Sequence, residues 1–249
     1  MGEPPSFAGK VVLISGCGQD LSEATARLCA QHGAAGVLLG GRGVEQGQAV
    51  AAIVSAAGCP AHFQPTDLTK LDDCAALVAK ADQAFGRIDV VIFSAGMLPP
   101  RTNLETLADQ FDHLFEVNVR APFFLMRRAG EVMQREATPG VMVTIVGLPG
   151  AGDPPLVACY DAAQAALARL TASFAADGAI DSIRVLGLDV SALPDAPADR
   201  RVTPPAIATA IARLASDHCT VASGSMVPVD QLLAAPARAG SQPGARGAR

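Results

Sequence analysis

Tryptophan is absent from this 249-residue chain, tyrosine occurs once, and aromatic residues make up only 4% of it. A nucleic-acid binder that stacks bases needs aromatic platforms set among basic residues. Neither is present, because 19 Lys and Arg face 24 Asp and Glu for a net charge of −5. No basic stripe offsets that balance, so nucleic acid is excluded as a partner. No apolar run approaches the roughly 20 residues that span a bilayer, so no membrane partner is expected. Met1 to Lys10 lacks the charged-then-apolar pattern of a secretory leader. The six cysteines (Cys17, Cys29, Cys59, Cys74, Cys159, Cys219) form no C-x-x-C pair, and the four histidines show no ligand spacing. Reduced buried thiols, no structural metal and a cytoplasmic location are the expectations.

What is present is apolar and small. Half the residues are hydrophobic, and Gly and Ala are abundant. Such a chain can build a sizeable core from one large domain, with helices packed closely on a sheet. Short apolar runs read as buried parallel strands: Val11–Ile14, Val37–Leu39, Ala61–Gln64, Ile88–Phe93, Val141–Val146, Ile183–Leu188 and Met226–Val229. Helical segments alternate with them: Leu21–His32, Val44–Ala57, Leu71–Phe85, Leu107–Glu136 with a bend near Pro122, Tyr160–Ala176 and Pro205–Ala215. Alternation of this kind predicts an α/β fold, a single doubly wound domain with a parallel sheet covered on both faces. Ligands of such sheets sit beyond the carboxyl ends of the strands. Residues 1–233 read as that domain. Residues 234–249 contain only Ala, Gly, Pro, Ser, Gln and Arg and read as a disordered tail.

The turn after the first strand is Ser15-Gly16-Cys17-Gly18-Gln19-Asp20-Leu21-Ser22. Asp67-Leu68, Ser94-Ala95-Gly96, Asn118, Tyr160, Gly224 and Val227-Pro228-Val229-Asp230 follow in order. In this order and at these intervals the chain resembles the short-chain dehydrogenase/reductase family, over about residues 7 to 233. The resemblance implies a Rossmann-like fold, a nicotinamide cofactor, a small-molecule substrate and a homodimer or homotetramer. It also implies Tyr160 as the proton donor or acceptor and Asn118 as the holder of a water relay. The catalytic Lys of the family falls at Gln164 and its catalytic Ser at Gly147, so two of four catalytic positions match. Gln164 carries no charge to lower the tyrosine pKa, though its amide could meet a ribose hydroxyl.

Gly16, Ala95 and Gly96 mark the expected dinucleotide turn, and Asp67 is placed to meet an adenine edge. Arg42 follows the second strand where an acid would favour NAD, so NADP(H) is the expected cofactor. Asp67 reads equally as a turn residue and Arg42 as a solvated loop cation. Asp20 and Ser22 replace family glycines, and Asp20 has the spacing of a helix cap, which weakens the expected cofactor binding. The stretch from Val190-Ser191 to Pro204-Pro205 looks too short for a full substrate lid. Three functions follow. The first is an NADP(H)-dependent oxidoreductase acting weakly or atypically on a small carbonyl or alcohol. The second is an inactive pseudoenzyme serving as a binding or oligomer partner. The third is a non-redox isomerase or cyclase using Tyr160 as general acid.

Overall fold

The computed structural model describes residues 7–17, 20–96, 107–137, 139–147, 154–177, 182–191 and 203–233. The expected tail at 234–249 and the expected trimmed lid between Ser191 and Pro204 lie largely outside them.

Seven strands form one sheet: β1 Val11–Ser15, β2 Gly36–Gly41, β3 Ala61–Pro65, β4 Val90–Phe93, β5 Val141–Val146, β6 Arg184–Asp189 and β7 Met226–Pro228. Their order is β3-β2-β1-β4-β5-β6-β7, with every neighbouring pair parallel. The helices are α1 Asp20–Gln31, α2 Val44–Ala56, α3 Leu71–Phe85, α4 Leu107–Phe115, α5 Ala121–Arg135, α6 Pro154–Ala175, α7 Pro204–Ala215 and α8 Val229–Leu233. The expected doubly wound, Rossmann-like α/β fold is therefore the observed one.

Strand periodicity divides the core. Val12 and Ile14 of β1 pack with Leu21, Cys29, Val54 and Ile211, on the face covered by α1, α2 and α7. Leu13, between them, packs with Leu77, Leu125 and Leu167, on the face covered by α3, α5 and α6. Both faces bury apolar side chains, which is why these strands read as continuous apolar runs rather than alternating ones. The chain winds outward from β1 in one direction and from β4 in the other, so β1 and β4 flank the switch point where a cleft must open.

Beyond shifts of one or two residues at several strand ends, three features differ from expectation. The bend expected near Pro122 is a π-helical turn at Glu116–Arg120, and Pro122 sits in the first turn of α5, where its missing N–H costs nothing. The helix bearing Tyr160 starts at Pro154, because paired prolines suit a helix start. A short helix, α8, follows β7 where no helix was expected.

Candidate functional site

At the switch point the backbone of β1 approaches that of β4 closely. Gly16 adopts φ +93°, and a Cβ there would stand 2.5 Å from the Ala95 nitrogen. The Gly16 and Cys17 amides both donate to the Gly40 carbonyl, at 2.9 and 2.7 Å, which folds the turn toward β2. Ser94 fixes the other side, its hydroxyl donating to the Ser15 carbonyl at 2.8 Å. A cleft of about 280 Å³ opens above, walled by Gly16, Arg42, Gln46, Asp67, Ala95 and Gly96. Small-molecule pockets span roughly 300–1,000 Å³.

Asp67 is both a turn residue and a cleft residue. Its Oδ1 accepts from the Thr69 amide at 3.1 Å and from the Thr69 hydroxyl at 2.8 Å. Its Oδ2 lies 3.9 Å from Lys70 Nζ. Burial pushes its pKa up, but the two Thr69 hydrogen bonds, with Lys70 and Arg42 nearby, outweigh that and hold it below the usual carboxylate value. Asp67 is therefore an anion at neutral pH. Arg42 stands exposed on the same wall, one residue beyond the end of β2.

A second group of residues lies where the π-helical turn, β5 and α6 meet. Asn118 is fully buried, and its Nδ2 donates to the Leu114 carbonyl at 2.9 Å. A π-turn displaces the regular helical ladder, and the Asn118 amide serves that displaced carbonyl. Gln164 bridges outward from it. Its Nε2 donates to Asn118 Oδ1 at 3.5 Å, and its Oε1 accepts from the Gly147 amide at 3.0 Å. Both ends of the Gln164 amide thus face protein groups, and the side chain is buried.

Tyr160 lies one helical turn before Gln164 on α6 and packs against Leu114 and Ala163. Burial, with the Asp161 carboxylate adding to it, pushes its phenol up to about 12. The eight predicted site residues thus fall into two sets. Gly16, Arg42, Asp67, Ala95 and Gly96 line the cleft. Asn118 and Gln164 join in one amide network, with Tyr160 a turn away.

Gly147 does more than lack a hydroxyl. It adopts φ +80°, and a Cβ there would meet the Ser191 nitrogen at 2.8 Å and the Ser191 Cβ at 2.5 Å. Gly147→Ser is therefore expected to destabilise the fold by about 2–4 kcal/mol, from left-handed backbone strain plus overpacking. Urea denaturation of the variant checks this, and a midpoint equal to the wild type would show that the β5 end relaxes freely.

The phosphate turn is seen only in part, since Gly18 and Gln19 lie outside the described residues. Helix α1 opens at Asp20, whose exposed side chain lines the groove between α1 and α7 with Glu23, Arg27, Pro204 and Pro205. Ser22 is buried beneath it.

A parallel seven-stranded sheet covered by helices on both faces, with a cleft at its switch point, defines a Rossmann-type α/β protein. The profile of the family described as short chain dehydrogenase matches residues 10–194, and the chain belongs to that family. It is 34% identical over 180 residues to an uncharacterised oxidoreductase of Thermotoga maritima, covering 72% of this chain and 70% of that one. It is 32% identical over 248 residues to cis-4-hydroxycyclohexanecarboxylate dehydrogenase of Sinomonas cyclohexanicum, covering 92% and 98% of the two chains. A metagenomic short-chain oxidoreductase solved in complex with NADP superposes with a TM-score of 0.75 at 28% identity, covering 89% of this chain and 98% of that one.

Sequence reasoning missed three features. Gln46 on the cleft wall is one helical turn past the Gly41-Arg42-Gly43 corner, and that spacing could have flagged it. The bridge from Gln164 to Gly147 leaves no mark in the sequence. Nor does the contact between Gly147 and Ser191, which joins strand ends more than forty residues apart.

Proposed function

We infer that the chain is an NADP(H)-dependent oxidoreductase that reduces a small carbonyl substrate and is weak in the reverse direction. The observation that carries this reading is the cleft lined by Arg42 and Asp67, with Gly16 and Ala95, at the carboxyl ends of β1 to β4. Its size and charge suit an adenosine ribose: the Asp67 anion meets a base-edge donor, and the exposed Arg42 meets a 2′-phosphate. The nicotinamide half fits less well. The ammonium that would grip its ribose is replaced by Gln164, whose amide is held by Gly147 and Asn118. Binding weaker than the family norm follows. The bound cofactor supplies the hydride, and Tyr160 holds the proton that the substrate oxygen receives.

The tyrosine sets the direction. With its phenol at about 12, Tyr160 stays protonated through neutral and mildly alkaline solution. It can donate to a carbonyl oxygen there, and it cannot take a proton from an alcohol. Reduction is expected to be level in pH as far as Tyr160 governs it, until pH nears that value. Alcohol oxidation is expected to climb with pH across the whole accessible range. Initial rates in both directions against pH check this; an oxidation plateau near neutral pH would contradict it.

The direct test of the reaction is NADPH consumption with 4-oxocyclohexanecarboxylate, the ketone matching the alcohol in the relative's name, beside Tyr160→Phe. Loss of a general acid costs about 10²–10⁴-fold in rate. Turnover that Tyr160→Phe leaves untouched would remove Tyr160 from the chemistry. A second reading, a pseudoenzyme that binds dinucleotide without turnover, is favoured by the captive Gln164 amide. NADPH binding with no turnover on any carbonyl would select it.

We also assign a homo-oligomer to this chain. Phe111 and Phe124 are about 40% exposed, and Phe123 beside them packs edge-on against Phe174 of α6. Ala158, Ala162 and Ala165 line the exposed side of the same helix. Exposed apolar side chains beside small residues suit a close helical interface. Replacing Phe111 and Phe124 with Asp is expected to shift a dimer or tetramer toward monomer by light scattering. An unchanged mass would place the interface elsewhere.

A further inference from the structure

Ser191 stands immediately beyond β6, against the end of β5. A side chain starting at Gly147 would begin 2.5 Å from the Ser191 Cβ. The two strand ends thus compete for one side-chain position, and this chain fills it from β6. The Ser191 hydroxyl donates to Asp189 Oδ1 at 2.5 Å, and the Ser191 amide donates to the same oxygen at 2.8 Å. Asp189 is the last residue of β6 and is registered against Val146 of β5, so its backbone is fixed by the sheet.

With its proton turned to Asp189, Ser191 Oγ is left with lone pairs to offer a donor. The residue is exposed to solvent. It also lies against Gly147, whose amide is held by Gln164, one turn from Tyr160 along α6.

We propose that Ser191, oriented by Asp189, forms a substrate-oxygen subsite that recognises an alcohol by accepting its O–H hydrogen bond. The subsite rests on the reading of the chain as an oxidoreductase of small alcohols and carbonyls, and it deepens that reading. A missing hydroxyl on β5 is replaced by one on β6, with its polarity set by a carboxylate. An alcohol has the proton this arrangement wants. A ketone has none and must turn the serine hydroxyl away from Asp189 to be bound; the Ser191 amide would still hold the carboxylate.

The test is calorimetric titration of the full chain with cis-4-hydroxycyclohexanecarboxylate, with and without saturating NADP+. Wild type, Ser191→Ala and Ser191→Thr are compared, and NADP+ is titrated separately into each. Loss of one neutral hydrogen bond predicts alcohol binding about five- to tenfold weaker in Ser191→Ala. Ser191→Thr stays within about twofold, 4-oxocyclohexanecarboxylate loses less than the alcohol, and NADP+ affinity is equal in all three proteins. Equal alcohol affinity in wild type and Ser191→Ala overturns the proposal. So does a loss of NADP+ affinity in Ser191→Ala, which would make the serine a support of the cofactor cleft. Absence of alcohol binding to a wild type that takes NADP+ overturns the subsite while leaving the cofactor reading intact. A wild type that takes no NADP+ overturns the cofactor reading instead, and the titration without cofactor then decides the subsite.

Discussion

Gly16→Ala is expected to destabilise the protein by about 2–5 kcal/mol and to abolish dinucleotide binding to whatever remains folded. Two costs add at this position. The backbone sits at φ +93°, where any side chain is strained, and the new methyl would lie 2.5–2.7 Å from the nitrogen, Cα and Cβ of Ala95. None of these three atoms is a flexible side-chain tip that can swing aside. The methyl would push β1 and β4 apart at the point where the cleft opens. Domains of this kind have only about 5–15 kcal/mol of stability, so the loss is a large share. Gly58→Ala is the control. Gly58 has φ +89° with nothing within 4 Å of an added Cβ, so it carries the strain without the clash. The difference between the two denaturation midpoints isolates the close approach of the strands. Equal losses in the two variants would mean that the β1 and β4 ends are not held together as described.

Arg42→Ala is expected to weaken NADPH binding by about ten- to a hundredfold and to leave NADH nearly unchanged. A charge-assisted hydrogen bond to a phosphate contributes roughly 1.5–3 kcal/mol, and only NADPH has a phosphate at the ribose. The exposure of Arg42 sets the effect toward the lower end at high salt. Asp67 shares the wall and remains an anion in the variant, held by Thr69 and Lys70. It therefore still offers its second oxygen to a base edge, and the affinity common to both cofactors should survive. Parallel fluorescence titrations with the two dinucleotides read this directly. Equal losses for NADPH and NADH would mean that Arg42 supports the cleft without reading the phosphate.

The fold was legible because its signals are local. Three-to-six-residue apolar runs separated by helical segments are what a parallel sheet covered on both faces requires, and α3 and β5 begin and end where the pattern places them. The cleft half of the site was legible for a related reason. Gly16, Arg42, Asp67, Ala95 and Gly96 each lie within three residues of a strand's carboxyl end, and strand ends are where such sheets bind ligands. The reaction half was less legible because its geometry is made by distant segments. Position 147 reads as a lost serine in the sequence; in the fold it is a left-handed glycine pressed against Ser191. Gln164 reads as a lysine without its charge. In the fold its amide links Asn118 to the β5 backbone, so reversing it to Lys would face a donor toward the Gly147 N–H. The π-turn at Asn118 was also hidden, since the nearby proline offered a simpler cause for a bend.

On the proposed function, the cleft lined by Arg42 and Asp67 binds the adenosine half of NADP(H), with the nicotinamide side weakened by the amide network around Gln164. Titration of the purified wild-type chain with NADPH and, separately, NADH tests it most directly. Saturable NADPH binding in the micromolar range is expected, with NADH weaker by about tenfold or more. No saturation by NADPH up to millimolar concentration, or equal affinity for the two, would contradict it.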